Sequence, residues 1–139
     1  MPSPEAKPGV GGTVAAQISN GMVRLVAEHT GRGPTKARTT IGRDHVLVML
    51  RDTLTKGERV LAENGHGYDV LETRRRYQAI MRSRAVEMVE ELVERKVIGF
   101  MSDNHLEPDL GVEVFILEAS GESHELSEGD SQDEQVLDP

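Results

Sequence analysis

The stretch Lys36-Ala-Arg-Thr-Thr-Ile-Gly-Arg-Asp-His-Val-Leu-Val-Met-Leu-Arg51 decides the fold. Its first part, 36–41, alternates small or apolar residues with polar ones, the period of a strand that buries one face. Its second part, 45–51, is apolar at five consecutive positions, which is typical of a strand in the middle of a sheet. Gly42-Arg43 suits a tight hairpin turn with glycine at the first central position. The stretch therefore predicts two antiparallel strands, the second central and the first nearer an edge.

Upstream of this hairpin, the sequence predicts one helix. Thr13 is a good N-cap, and apolar residues then recur at steps of three and four up to His29. Gly31 is typical of a left-handed C-cap, and Pro34 forbids continuation of the helix. Gly21 lies inside the pattern, where it indicates a close crossing with another element.

Downstream, two capping signals predict two more helices. Thr55-Lys-Gly-Glu58 is a capping box for a short helix through Ala62, and Asp69-Val-Leu-Glu72 opens a long helix to about Lys96. Strands are predicted over 97–102 and 112–118, with 103–111 as their turn. The order α-β-β-α-α-β-β indicates an α+β two-layer sandwich, with a mostly antiparallel sheet and helices on one face. Exposed edges of short strands favour pairing with a second copy, so we expect a homodimer.

Composition narrows the function classes. The chain has 139 residues and no Cys, which excludes disulfide frameworks, Cys-ligated zinc and cysteine nucleophiles. No apolar run reaches the roughly 20 residues that span a bilayer, and the N-terminus has no apolar signal core. We therefore expect a cytoplasmic protein without direct membrane insertion.

The net charge of −8 is concentrated at one end of the chain. From Glu118 onward there are acids but no Lys or Arg, whereas the preceding part is neutral overall. Residues 119–139 are polar and acidic, and residues 1–11 are rich in Pro and Gly. We predict a disordered lead-in over 1–11, a single domain over 12–118 and a disordered acidic tail over 119–139.

The turn Gly31-Arg32-Gly33-Pro34, followed by Lys36 and Arg38, is a candidate site for a small anion or nucleotide. Free backbone N–H groups and guanidinium forks both suit oxyanions. A phosphate loop normally opens a helix, however, whereas these glycines close one. A C-cap followed by a turn with two solvated cations is therefore the favoured interpretation.

The long helix has a basic first half, formed by Arg74-Arg75-Arg76 with Arg82 and Arg84. Such a cluster can bind phosphates, an acidic surface or an acidic protein segment. The favoured alternative is a solvated helix face, with Arg74 partly buried and paired with Asp44, Asp52 or Asp69. Nucleic acid is an unlikely partner, because the pI is about 5.1, Trp is absent and Phe and Tyr are scarce.

Metal, cofactor and catalytic signals are weak. The turn 103–109 holds several oxygen ligands but lacks calcium-hand spacing, and the histidines are scattered, so no metal or cofactor is predicted. Catalysis has no clear candidate apart from the pair Asp44-His45, which could serve a hydrolase. This is the weakest of the alternatives. The sequence therefore leans towards a non-enzymatic protein.

One family shares the pattern and order of these motifs. The chain resembles the MpsC family of the Na+-translocating membrane potential-generating system over about 15–118. The resemblance rests on Ile18-Ser-Asn-Gly, Gly31-Arg-Gly-Pro, Arg38-Thr, Asp44, Val48, Leu54-Thr-x-x-Glu58 and Arg74–Arg76. It implies a soluble accessory protein, with membrane transporter subunits as possible partners and no known catalytic residues. The candidate functional surface comprises Arg32, Gly33, Arg38, Asp44, Arg74 and Arg75.

Overall fold

The computed structural model describes residues 12–119, which form three helices and one four-stranded sheet. The elements in chain order are α1 (Val14–Thr30), β1 (Lys36–Ile41), β2 (His45–Arg51), α2 (Lys56–Glu63), α3 (Gly67–Val93), β3 (Val97–His105) and β4 (Leu110–Leu117). The sheet order is β1-β2-β4-β3, and every neighbouring pair is antiparallel. The predicted α+β fold and element order are confirmed. The predicted lead-in 1–11 and the tail from 120 onward lie outside the described residues.

Local capping chemistry sets most helix boundaries. The Thr13 hydroxyl accepts the Ala16 N–H at 3.0 Å, and Gly31 closes α1 with φ +84°. The capping box of α2 is complete, with the Thr55 and Glu58 side chains each accepting the other's backbone N–H. The long helix α3 begins two residues before Asp69 and ends at Val93, earlier than predicted.

The β1–β2 hairpin turns one residue later than the sequence suggested. Gly42 N–H donates to the His45 carbonyl at 2.8 Å, so the central turn residues are Arg43 and Asp44. The prediction of Gly42 at the first central position was wrong. A Cβ at Gly42 would lie 2.5 Å from an atom of the His45 ring, so this ring would have to turn aside for any larger residue.

The β3–β4 hairpin is longer than predicted. Asp103, Asn104 and His105 continue β3 and pair with β4 at Val112, Gly111 and Leu110. These polar residues were assigned to a turn because they are rare inside strands. They are tolerated because β3 is an edge strand that faces solvent on one side.

The core lies between the helices and the inner face of the sheet. Along β2 and β4, alternate side chains are buried on this face, and β1 and β3 extend it at both edges. Most of the helical residues in the core come from α1 and α3, which cross where Gly21 meets Met88. A Cβ on Gly21 would lie 2.0 Å from the Met88 sulfur, so the predicted close crossing is confirmed. The core residues are Ile18, Met22, Leu25, Val26, Val46, Val48, Leu50, Met81, Ala85, Val89, Phe115 and Leu117.

The remaining side chains of the strands form a second face, turned away from the helices. We call it the open face; its apolar members are Leu47, Met49, Met101, Val112, Val114 and Ile116. The five on β2 and β4 are half-buried, whereas Met101 is 58% exposed. The open face thus carries apolar residues that the core does not use.

Candidate functional site

Arg32, the cation of the Gly31–Pro34 turn, bonds to the loop 52–55 that joins β2 to α2. Its Nη1 donates to the Asp52 carbonyl at 2.6 Å and to the Leu54 carbonyl at 3.1 Å. Its Nη2 donates to Asp52 Oδ2 at 2.8 Å. These bonds direct the guanidinium at protein acceptors, and they give Arg32 a role in holding the loop.

Gly33 has a packing reason to be glycine. A Cβ at this position would lie 2.9 Å from the Val23 carbonyl oxygen and 3.3 Å from Ala27 Cβ. Because the Val23 oxygen belongs to the backbone of α1, it cannot move aside as a flexible side chain could. Glycine therefore allows the turn to run directly against α1.

Arg74 is buried in α3 and anchors the same loop from the opposite side. Only 4% of the residue is exposed. Its Nη2 donates to the Thr53 carbonyl and to Glu58 Oε1, both at 2.6 Å, and its Nε donates to Glu58 Oε2 at 3.1 Å. The predicted burial of Arg74 is confirmed, but its ion-pair partner is Glu58 and not Asp44, Asp52 or Asp69. The sequence did not reveal this pair, because the Glu58 side chain was expected to serve the capping box of α2.

A third guanidinium, that of Arg59, completes what we call the three-arginine cluster (Arg32, Arg59 and Arg74). Arg59 forms an ion pair with Asp52 Oδ1 and lies 3.9 Å from Asp109 Oδ2. Hydrogen bonds from Arg59, and next from Arg32, lower the pKa of Asp52 to about 2. Asp109 accepts the Thr53 hydroxyl at 2.9 Å and the Leu54 N–H at 3.0 Å. Sequence reasoning missed Arg59, which lies in no recognisable motif, and considered Asp109 only among the oxygen ligands of the turn 103–109.

Arg38 and Asp44 lie away from this cluster. Arg38 pairs with Met49 in the β1–β2 ladder, and its exposed side chain belongs to the open face. Asp44 lies in the hairpin turn, where its Oδ1 is 3.0 Å from His45 Nδ1. The Asp44-His45 contact is therefore present, on an exposed turn. The structure does not bring Arg32 and Arg38 to one site, so anion binding by this turn stays a prediction.

Arg75 borders a groove between α3 and the edge strand β3. The groove has a volume of about 390 Å³ and is also lined by Arg82, Gln78, Phe100 and Asp103. The Arg82 guanidinium carbon lies 5.3 Å from the centroid of the Phe100 ring, within the range of a cation–π contact. The contact with Phe100 thus holds Arg82 beside β3, and Arg75 lies two helical turns before it on α3.

Glu113 is a buried acid that the candidate list omitted. It is 4% exposed on the inner face of β4, and burial raises its pKa to about 7, while the Ser102 hydroxyl opposite it opposes the rise. Thr53, Arg74, Tyr77, Gln78 and Asn104 share the small cavity beside it. The signal was present in the alternation of β4, which places Glu113 on the side of Phe115 and Leu117.

Two classes of site have no support in the part of the chain that is described. Within residues 12–119, no group of three or more His, Asp or Glu side chains is arranged to hold a metal ion. None of the helices in this range combines the length and the apolar character that crossing a membrane requires.

Comparison with known proteins assigns the family. Neither the curated proteins nor the solved structures include a significant match to this chain. The family model described as Na+-translocating membrane potential-generating system (MpsC) matches residues 11–119, which include every helix and strand above. The earlier resemblance is thereby confirmed, and the chain belongs to the MpsC family.

Proposed function

We propose that this chain is a non-enzymatic, cytoplasmic accessory protein of a Na+-translocating membrane potential-generating system. In this role it binds an acidic, extended segment of a membrane transporter subunit in the groove between α3 and β3. Membership of the MpsC family supports a role in this membrane system. One observation supports the groove as the binding surface: two arginines border an edge strand, one of them stacked on Phe100.

The backbone of the edge strand β3 can form hydrogen bonds with the bound segment. In the sheet order β1-β2-β4-β3, the strand β3 pairs with β4 on one side only. The backbone N–H and C=O groups on its other side are a template for an added strand. An extended segment therefore suits this groove better than a helix or a compact ligand.

The two arginines can form ion pairs with acidic side chains of the bound segment. Arg75 and Arg82 are seven residues apart on α3, which is roughly 10 Å along a helix. Three residues of an extended strand cover about the same distance. Asp103 also lines the groove, so the two arginines leave it with a small positive charge. Because successive side chains of a strand point to opposite faces, we expect the partner segment to carry carboxylates two or four residues apart, on the side that faces α3.

The test is affinity capture with the tagged full-length chain from detergent-solubilised membranes of its native cells. Bound proteins are identified by mass spectrometry. We expect the unaltered chain to recover transporter subunits of the system, and the double variant Arg75→Glu/Arg82→Glu to lose them.

A control variant separates the groove from general charge. Arg24→Glu/Arg76→Glu changes the net charge by the same amount at exposed positions outside the groove. It should recover the same subunits as the unaltered chain. Equal recovery by the groove variant and the control, or no transporter subunit with any variant, would overturn the proposal.

A further inference from the structure

The open face is large and apolar enough to need a cover. Strands β2 and β4 are apolar on both of their faces, a pattern typical of strands buried on both sides. Four strands about 4.8 Å apart and about seven residues long span on the order of 400 Å². The apolar residues of β2 and β4 are contiguous and are flanked by polar residues of β1 and β3, and apolar patches with a polar rim mark interaction sites on protein surfaces. Two such faces together cover roughly 800 Å², the size of a small, weak interface.

One line of residues across the open face carries opposite charges at its two ends. In the ladder registers, Arg38 lies opposite Met49, Met49 opposite Val112, and Val112 opposite Asp103. The line therefore runs from a cation on one edge strand, through two apolar residues, to an anion on the other edge strand. Of the two neighbouring lines on the same face, Thr40-Leu47-Val114-Met101 has no charge, and Lys36-Arg51-Leu110-His105 carries two cations.

This arrangement is complementary to itself under one symmetry operation. A two-fold axis parallel to the strands, lying between two stacked sheets, reverses the left-to-right order but keeps each line at its own level. Arg38 of one copy then faces Asp103 of the other, and Met49 faces Val112. A two-fold axis perpendicular to the strands instead stacks β1 on β1 and β3 on β3, which keeps Arg38 away from Asp103 of the other copy.

The dimensions allow these contacts. Packed sheets lie about 10 Å apart, at an angle of about 30°. At an edge strand roughly 7 Å from the sheet centre, this angle shifts facing residues by about 4 Å along the strand. The long side chain of Arg38 can bridge such a shift to a carboxylate.

We propose that the open face is the interface of a symmetric homodimer, in which Arg38 and Asp103 form two ion pairs between the copies around an apolar centre. The partner is a second copy of this chain. This inference goes beyond the accessory function and does not depend on it, because it rests on the strand registers; Asp103 borders both the groove and the open face.

The first test asks whether the open face associates. Sedimentation analysis of the full-length chain should show a dimer, and Val114→Asp at the centre of the face should yield a folded monomer, with folding checked by circular dichroism. Arg76→Asp, an exposed change on α3, should leave the dimer intact. A monomeric unaltered chain, or a dimer that tolerates Val114→Asp, would overturn the proposal.

The second test asks whether Arg38 meets Asp103 of the other copy. Arg38→Asp alone places two Asp–Asp contacts in the dimer, and Asp103→Arg alone places two Arg–Arg contacts. We expect each to weaken association by about tenfold or more. Mixing the two variants restores both pairs in a heterodimer, so the mixture should associate as tightly as the unaltered chain. If mixing restores nothing, the assigned symmetry is wrong.

Discussion

At the scale of single residues, the arginines of this chain divide by what they contact. Arg32 and Arg74 donate to backbone carbonyls and carboxylates of the same molecule. Arg38 and Arg75 are exposed, on the open face and beside the groove. The sequence marked all four as candidates, because residue type and motif position do not reveal which guanidinium finds an acceptor inside the fold. Only the last two are available to a partner.

Glu113 gives the folded chain a dependence on pH. Burial raises its folded-state pKa to about 7 from the ordinary value of 4.5, so the folded state binds the proton more tightly than the unfolded state. Its contribution is favourable at low pH and is lost as the pH rises from about 5 to about 7. Glu113→Gln should remove this loss. At pH 8 the variant should be more stable than the unaltered chain, by up to about 3 kcal/mol.

The measurement is denaturant unfolding of both proteins between pH 5 and pH 8. Because the two proteins differ only at position 113, the difference between the two curves reports Glu113. Glu87→Gln, at an exposed position of α3, serves as the control and should follow the unaltered chain. Parallel curves for Glu113→Gln and the unaltered chain would contradict the assignment.

At the scale of elements, the sequence predicted what short-range chemistry controls. Thr13, Gly31 and the Thr55–Glu58 box are caps, and their bonds run over three or four residues, so a pattern reveals them. The alternation of residues along β4 likewise divides this strand into an inner and an outer face. Partners such as Arg74 and Glu58, or Thr53 and Asp109, lie 16 and 56 residues apart. Packing of α3 and of the β3–β4 hairpin decides those contacts, and no local pattern encodes them.

Two glycines in helices should respond oppositely to alanine. A Cβ at Gly57 in α2 meets nothing within 4 Å, so Gly57→Ala should raise the free energy of unfolding by about 0.5–1 kcal/mol through helix propensity. Gly21→Ala gains the same propensity but forces Met88 out of the α1–α3 crossing, so it should lower stability. Thermal or urea unfolding measures both, and Met88→Ala should relieve the cost of Gly21→Ala. A stabilising Gly21→Ala would show that Met88 repacks without cost.

At the scale of the whole molecule, the two faces of the sheet differ in what covers them. The helices cover the inner face, and the outer one carries the line from Arg38 to Asp103. The sequence indicated a homodimer through exposed strand edges. The three-dimensional register points to the broad face instead, because charges on β1 and β3 become aligned only when β2 and β4 lie between them.

If the open face pairs with a second copy, thermal stability depends on protein concentration. Association adds stability to the folded state by mass action, so the midpoint of unfolding should rise by a few degrees for each tenfold increase in concentration. Arg38→Asp should remove most of this dependence, and Arg76→Asp should retain it. Differential scanning fluorimetry or calorimetry over a dilution series measures the effect. A midpoint that is independent of concentration would favour a monomer.

The three-arginine cluster also determines how this molecule meets any partner. The carbonyls of Asp52, Thr53 and Leu54 are all bonded by guanidinium groups from outside the loop. The connection between β2 and α2 is therefore not a free hinge, since swinging α2 would break the ion pairs Arg59–Asp52 and Arg74–Glu58. Sheet and helices should move as one rigid body, so that recognition proceeds by docking of preformed surfaces and its specificity resides in shape and charge rather than in induced fit.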